Sequence, residues 1–217
     1  MVMWQARFEQ ELVGRLPDGA AYDVAGSAQH PEHLDGWSDL DLHLHLRSAE
    51  EPVDLLAGVE VWAATETEDA GAQVLRVVLV DGRRIDLVVS GGRVAVPERA
   101  VDNDIRMLAV LAVTKLGRGD QLIGLHLTLE LTRACLVQAM LLRDRALGTS
   151  VHRTGSGLDA LAEEVVTALQ GPLDVRVRPN VVEQVVGLYA RWRHQLELNY
   201  MPDWSGLDAV IARGLSG

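Results

Sequence analysis

Asp39 and Asp41 flank Leu40 in the segment Trp37-Ser38-Asp39-Leu40-Asp41-Leu42, and a third carboxylate, Asp86, lies between Ile85 and Leu87. Residues two apart on a strand project from the same face, with Cα atoms roughly 6.6 Å apart, so Asp39 and Asp41 can address one site. Two divalent cations about 3.5–4 Å apart can be bridged by such a pair. Asp86 projects opposite to its apolar neighbours and can supply the third acid. Carboxylate oxygens are hard ligands that suit Mg²⁺, which keeps coordination positions for water and phosphate oxygens. Upstream, Gly26-Ser27 closes an expected strand; glycine permits close backbone approach, and free N–H groups with a hydroxyl can hold a terminal phosphate. His43 and His45 share the carboxylate face. They read as strand-surface or groove residues further along, with metal ligation as the alternative.

The elements that must carry these residues follow from hydrophobic period. Trp4, Phe8, Leu12 and Leu16 recur every four residues and predict a helix that Pro17-Asp18-Gly19 terminates. A strand is expected at Tyr22 to Ala25, then a polar loop from Gln29 to Gly36. Strict alternation from Asp39 to Leu46 puts four leucines on one face and the acids and histidines on the other. Further strands are expected at Val59 to Ala63, Gln73 to Val80 and Arg84 to Val89, the last two joined by the hairpin signal Asp81-Gly82.

Near Val101 the period changes from two to about 3.6, and the boundary is set there: residues 1–100 form an α/β (α+β) domain with a mixed sheet, and residues 101–217 an all-α helical bundle. Ile105, Leu108, Ala112 and Leu116 mark one helix, broken at Gly117 to Gly119. The next, Asp120 to about Arg145, is apolar on most sides and is expected at the centre of the bundle. Helices follow around Leu158 to Leu169 and Val182 to Leu196, with Tyr189 and Trp192 as core, and Ser205 caps a short last one. Lys115, on the edge of an apolar stripe, needs an anionic partner or a path to water. Glu130, among leucines, is costly unless Arg133 pairs with it or it has a role in the reaction.

Lys and Arg number 20 against 31 Asp and Glu, a net charge of −11. That field repels phosphate backbones and acidic membranes, so no nucleic acid or membrane is expected as partner, and it attracts cationic small molecules. Cys135, the single cysteine, excludes an internal disulfide and a cysteine-built zinc site. The charged first sixteen residues carry no apolar signal core, and a cytoplasmic protein is expected.

With Gly26-Ser27, the spacer Ala28 to Ser38, Asp39-Leu40-Asp41 and the distant Asp86, the sequence resembles the nucleotidyltransferase superfamily of DNA polymerase beta. Gln29 and His30 stand where that family often has a basic residue. The segments Lys115 to Asp120, Met140 to Arg145 and His152-Arg153 are similar to antibiotic adenylyltransferases that act on aminoglycosides and lincosamides. The resemblance implies ATP as donor and two Mg²⁺ ions on Asp39, Asp41 and Asp86. It implies nucleotide contacts from Gly26, Ser27, Ser38 and Lys115. Glu130 is expected to serve as base or as a ligand of the antibiotic. AMP would pass to a hydroxyl of a cationic antibiotic bound in a cleft between the halves, in a possible homodimer. The alternatives are transfer to a protein partner, as in toxin–antitoxin members, and a non-catalytic nucleotide-binding protein, which would normally have lost one of the acids.

Overall fold

Alternating leucines in a segment flanked by turns dictate a strand with one dry face, and the architecture grows from that strand. The computed structural model describes residues 4–30, 34–47 and 51–217; residues 1–3, and residues 31–33 of the expected loop, lie outside the described residues. The strands are β1 (Ala21–Ala25), β2 (Leu40–His45), β3 (Val61–Asp69), β4 (Ala72–Leu79) and β5 (Arg84–Ser90), in spatial order β1-β2-β5-β4-β3. Only β2 and β5 run parallel; the other neighbours are antiparallel. Leu40, Leu42 and Leu44 of β2, Leu75 and Val77 of β4, and Ile85, Leu87 and Val89 of β5 are buried on one face. Helix α1 (Trp4–Val13) adds Phe8 and Leu12 to that core. It stops short of Leu16 because Gly14 is a poor helix former, and the chain winds down through bonds from Arg15 N to Leu12 O and Leu16 N to Val13 O.

The β4–β5 hairpin turns where Asp81-Gly82 predicts it, with Asp81 Oδ1 accepting from Arg83 N at 3.1 Å. The third strand runs further than expected, through Asp69, because its outer half is polar and lacks the apolar alternation. It turns into β4 at Ala70-Gly71, where both residues have positive φ (48° and 81°), the twist that a two-residue hairpin requires.

The helices are α2 (Asn103–Gly117), α3 (Gln121–Leu147), α4 (Leu161–Leu169), α5 (Val181–Leu196) and α6 (Ser205–Ser216). Asp120 caps α3 through Ile123 N, and Gly148, at φ 66°, ends it. Asn180 and Glu183 form a reciprocal capping box at the start of α5. The fold is therefore mixed α+β, a five-stranded sheet followed by helices. The chain divides into two units, residues 1–107 with 205–217, and residues 108–204.

In the first unit α6 returns to the sheet domain, where its glycines take aromatic rings: Gly206 lies against Trp62, and Gly214 against Trp37. The second unit packs α3 and α4 on α5 around the buried Val182, Val185, Tyr189 and Trp192. The expectation that α3, apolar on most sides, is central to the bundle is met on one face only. Its inward face consists largely of small residues, Gly124, Thr128, Thr132, Cys135 and Ala139, together with Leu131. Leu122, Leu125, Leu129, Leu136 and Met140 are exposed. Apolarity on most sides hides which face packs, and here the smaller side chains permit the close helix contact. By length and composition α3 is also apolar enough to cross a membrane.

Candidate metal and nucleotide site

The carboxylates come together because of register. Asp41 of β2 stands directly beside Asp86 of β5 in the parallel pair, and Ala25, at the end of β1, opposes Asp41 on its other side. Asp39 lies just before β2. One oxygen of each of Asp39, Asp41 and Asp86 falls within 4.8 Å of the others, and all three residues are partly buried. No other group of three metal-ligating side chains comes this close among the described residues.

Gly26 shapes the same place. Its φ is 57°, a left-handed conformation that disfavours any side chain, and a Cβ there would collide with Asp41 Oδ2. Glycine is therefore required twice over. Gly26 and Ser27 open a short 3₁₀ turn, Gly26–Gln29, directly after β1. Ser27 is half-buried, and Gln29 turns back to donate to Val24 O at 2.8 Å.

Asp39 is held by residues that composition does not reveal. Arg84, whose side chain is 9% exposed, approaches Asp39 Oδ2 with Nη2 at 3.5 Å and donates to the carbonyl of Trp37. Gln5 of α1 donates to Ser38 O at 3.4 Å. The Ser38 hydroxyl donates to Asp35 Oδ1 at 2.8 Å and accepts from Asp35 N at 3.0 Å. Ser38 is buried, so its hydroxyl builds the loop that delivers Asp39. Arg84 and Gln5 escape sequence reasoning because their partners are a carbonyl and a loop distant in the chain.

The Asp86 carboxylate is desolvated and crowded by its acidic neighbours. Partial burial and the adjacent Asp39 push its pKa up, against the pull of Arg76, with Asp41 raising it further, to about 6. Arg76 Nε lies 3.1 Å from Asp86 Oδ2. Three carboxylates this close repel one another, and a divalent cation relieves that repulsion. The donor set, all carboxylate oxygen with a glycine leaving room beside Asp41, fits Mg²⁺.

Lys115 and Glu130 belong to the second unit. Lys115 Nζ lies 3.8 Å from Asp120 Oδ2, near the C-terminal end of α2. Glu130 is exposed, 3.2 Å from His126 Nε2 one helical turn earlier. The premise that Glu130 is a costly carboxylate among leucines, needing either Arg133 or a role in the reaction to offset it, is thereby corrected, since the residue sits on the solvated side of α3. Cys135 is buried, and burial pushes its thiol up to about 12, which makes it unreactive.

No family model and no curated protein matches the chain. Among solved structures it is similar to the polymerase core of TRAMP, an RNA surveillance complex, with 15% identity over 91% of this chain and a TM-score of 0.28. The chain spans 58% of that protein. A likeness so slight carries no argument about activity, and the chemistry is read from the carboxylate cluster.

Proposed function

We propose that the chain is a nucleotidyltransferase that transfers AMP from ATP to a hydroxyl of a small cationic antibiotic of the aminoglycoside or lincosamide type. The observation that carries the reading is the convergence of Asp39, Asp41 and Asp86 beside a glycine whose missing side chain leaves room for the Asp41 carboxylate. Asp39, Asp41 and Asp86 would hold two Mg²⁺ ions. When bound, these ions neutralise phosphate charge and polarise the reacting phosphoryl group. Gly26 and Ser27, at the end of β1 and next to Asp41, would receive the nucleotide phosphates. Arg84 fixes Asp39 and stays out of solvent. Asp86, in register beside Asp41, is placed to receive the proton of an attacking hydroxyl. The net charge of −11 favours a polycationic acceptor.

The test is pyrophosphate release from ATP, CTP and GTP with Mg²⁺ over a panel of aminoglycosides and lincosamides. Transfer to one of these acceptors, lost in Asp41→Asn, is the expected result. Labelling of a protein in place of the antibiotics points to the protein-directed alternative. Nucleotide binding without transfer to any acceptor points to a non-catalytic protein.

A further inference from the structure

Two arginines stand at the aspartate cluster, and they are placed differently. The Arg84 side chain is 9% exposed, with its guanidinium turned to Asp39 and to the carbonyl of Trp37. That of Arg76, on β4, is 52% exposed. Arg76 is the cross-strand partner of Asp86, so one row crosses the polar face of the sheet: Ala25 of β1, Asp41 of β2, Asp86 of β5 and Arg76 of β4. We infer, on the basis of the nucleotidyltransferase reading, that Arg76 is a nucleotide-binding residue that exchanges partners. It pairs with Asp86 in the free protein and turns to the phosphate chain of the nucleotide when Mg²⁺ takes the Asp86 charge.

The bonding of Arg76 leads to this role. Its Nε donates to Asp86 Oδ2 at 3.1 Å, and among the described residues its two Nη groups make no hydrogen bond or ion pair. A guanidinium carries five N–H donors in a fork that matches phosphate, and here the outer part of the fork is open to solvent. A half-exposed ion pair is worth little to stability by itself, so it can be exchanged. A cation on the aspartates draws the Asp86 charge and repels the guanidinium beside it. Arg76 and Arg84 also offset two of the three carboxylate charges. Mg²⁺ alone therefore meets a weakly charged site, and the site takes its full complement of cations when a nucleotide adds its own negative charge. Position along the row decides which anion Arg76 can meet. Neighbouring strands lie about 4.8 Å apart, and Arg76 flanks the aspartates on the side opposite Gly26 and Ser27, which follow β1. An anion that starts at Gly26-Ser27 and crosses the carboxylates meets the cation of the row at Arg76.

The test is calorimetry of the full chain at pH 8, first with Mg²⁺ alone and then with ATP, CTP and GTP in saturating Mg²⁺, on wild type, Arg76→Gln and Arg76→Lys. Arg76→Gln is expected to tighten Mg²⁺ binding about two- to fivefold, because the competing charge of a partly exposed pair is gone. The same variant is expected to weaken triphosphate binding roughly tenfold or more, the size of a charge-assisted hydrogen bond. Arg76→Lys keeps a point charge that also binds phosphate and should stay within about threefold of wild type on both counts. An Arg76 that only holds Asp86 in place would shift both affinities in the same direction or neither, and that result overturns the proposal. A wild-type chain that binds none of the three triphosphates overturns the nucleotidyltransferase reading as well.

Discussion

Asp41 and Asp86 stand directly beside each other on the parallel strand pair β2–β5, with Ala25 closing the other side of Asp41. Two carboxylates locked in register cannot move apart without breaking the ladder. Their repulsion is built into the fold and is available to be relieved by a cation.

Asp39→Asn and Asp41→Asn each remove a ligand charge at nearly constant volume. Turnover is expected to fall below about a tenth of wild type, a loss of more than roughly 1.4 kcal/mol of transition-state stabilisation, while circular dichroism stays native. Steady-state kinetics in Mg²⁺ checks this, and full activity in either variant would falsify the two-metal reading.

Gly26→Ala places a methyl group against Asp41 Oδ2 in a backbone conformation with φ of 57°. Left-handed strain alone costs about 1–2 kcal/mol, and the displaced carboxylate adds a loss of metal affinity. Thermal melting with and without Mg²⁺ separates the two effects. The expected outcome is a lower Tm in EDTA and a smaller rise on adding Mg²⁺ than in wild type.

Asp86 sets a pH dependence for the metal-free protein. Its folded pKa of about 6 lies above its ordinary value of 3.8, so the folded state binds the extra proton and stability falls as pH rises through that window. In EDTA, Asp86→Asn should therefore stabilise the protein at pH 7 by about 1–3 kcal/mol. The gain should shrink at pH 5 and vanish below the ordinary carboxylate range. Urea melts at several pH values measure it, and a gain independent of pH rules out the electrostatic origin.

The glycines of α6 admit two tryptophans: a Cβ at Gly214 would collide with the Trp37 ring, and one at Gly206 with Trp62. Trp37 precedes Asp39 by two residues and accepts from Arg84 through its carbonyl. Gly214→Ala should destabilise by about 1–3 kcal/mol through overpacking and should also impair the metal site, whereas Gly206→Ala should destabilise without that second effect. Comparing Mg²⁺ affinity with urea midpoints distinguishes them.

Glu130→Gln should leave stability within about 0.5 kcal/mol, as for an exposed residue. Urea denaturation checks it; a loss of several kcal/mol would mean that its carboxylate is buried and paired after all.

The local content of the chain determined most of the elements. Strict alternation from Leu40 to Leu46 can be satisfied only by a strand with one buried face, and that period put Asp41, His43 and His45 together on the other. The Asp81-Gly82 turn and the capping residues likewise act through neighbours a few positions away. The partner of Asp41 was decided by the tertiary structure, because the parallel register with Asp86 depends on strand order, which no local pattern encodes. The same holds for Arg84 and Gln5, which grip the Trp37–Asp39 segment across long sequence separations. It holds too for α6, whose return to the sheet rests on glycines matched to Trp37 and Trp62. The packed face of α3 was hidden for a related reason: a helix apolar on most sides carries no signal of its own, and the fit of small side chains against α5 made the choice.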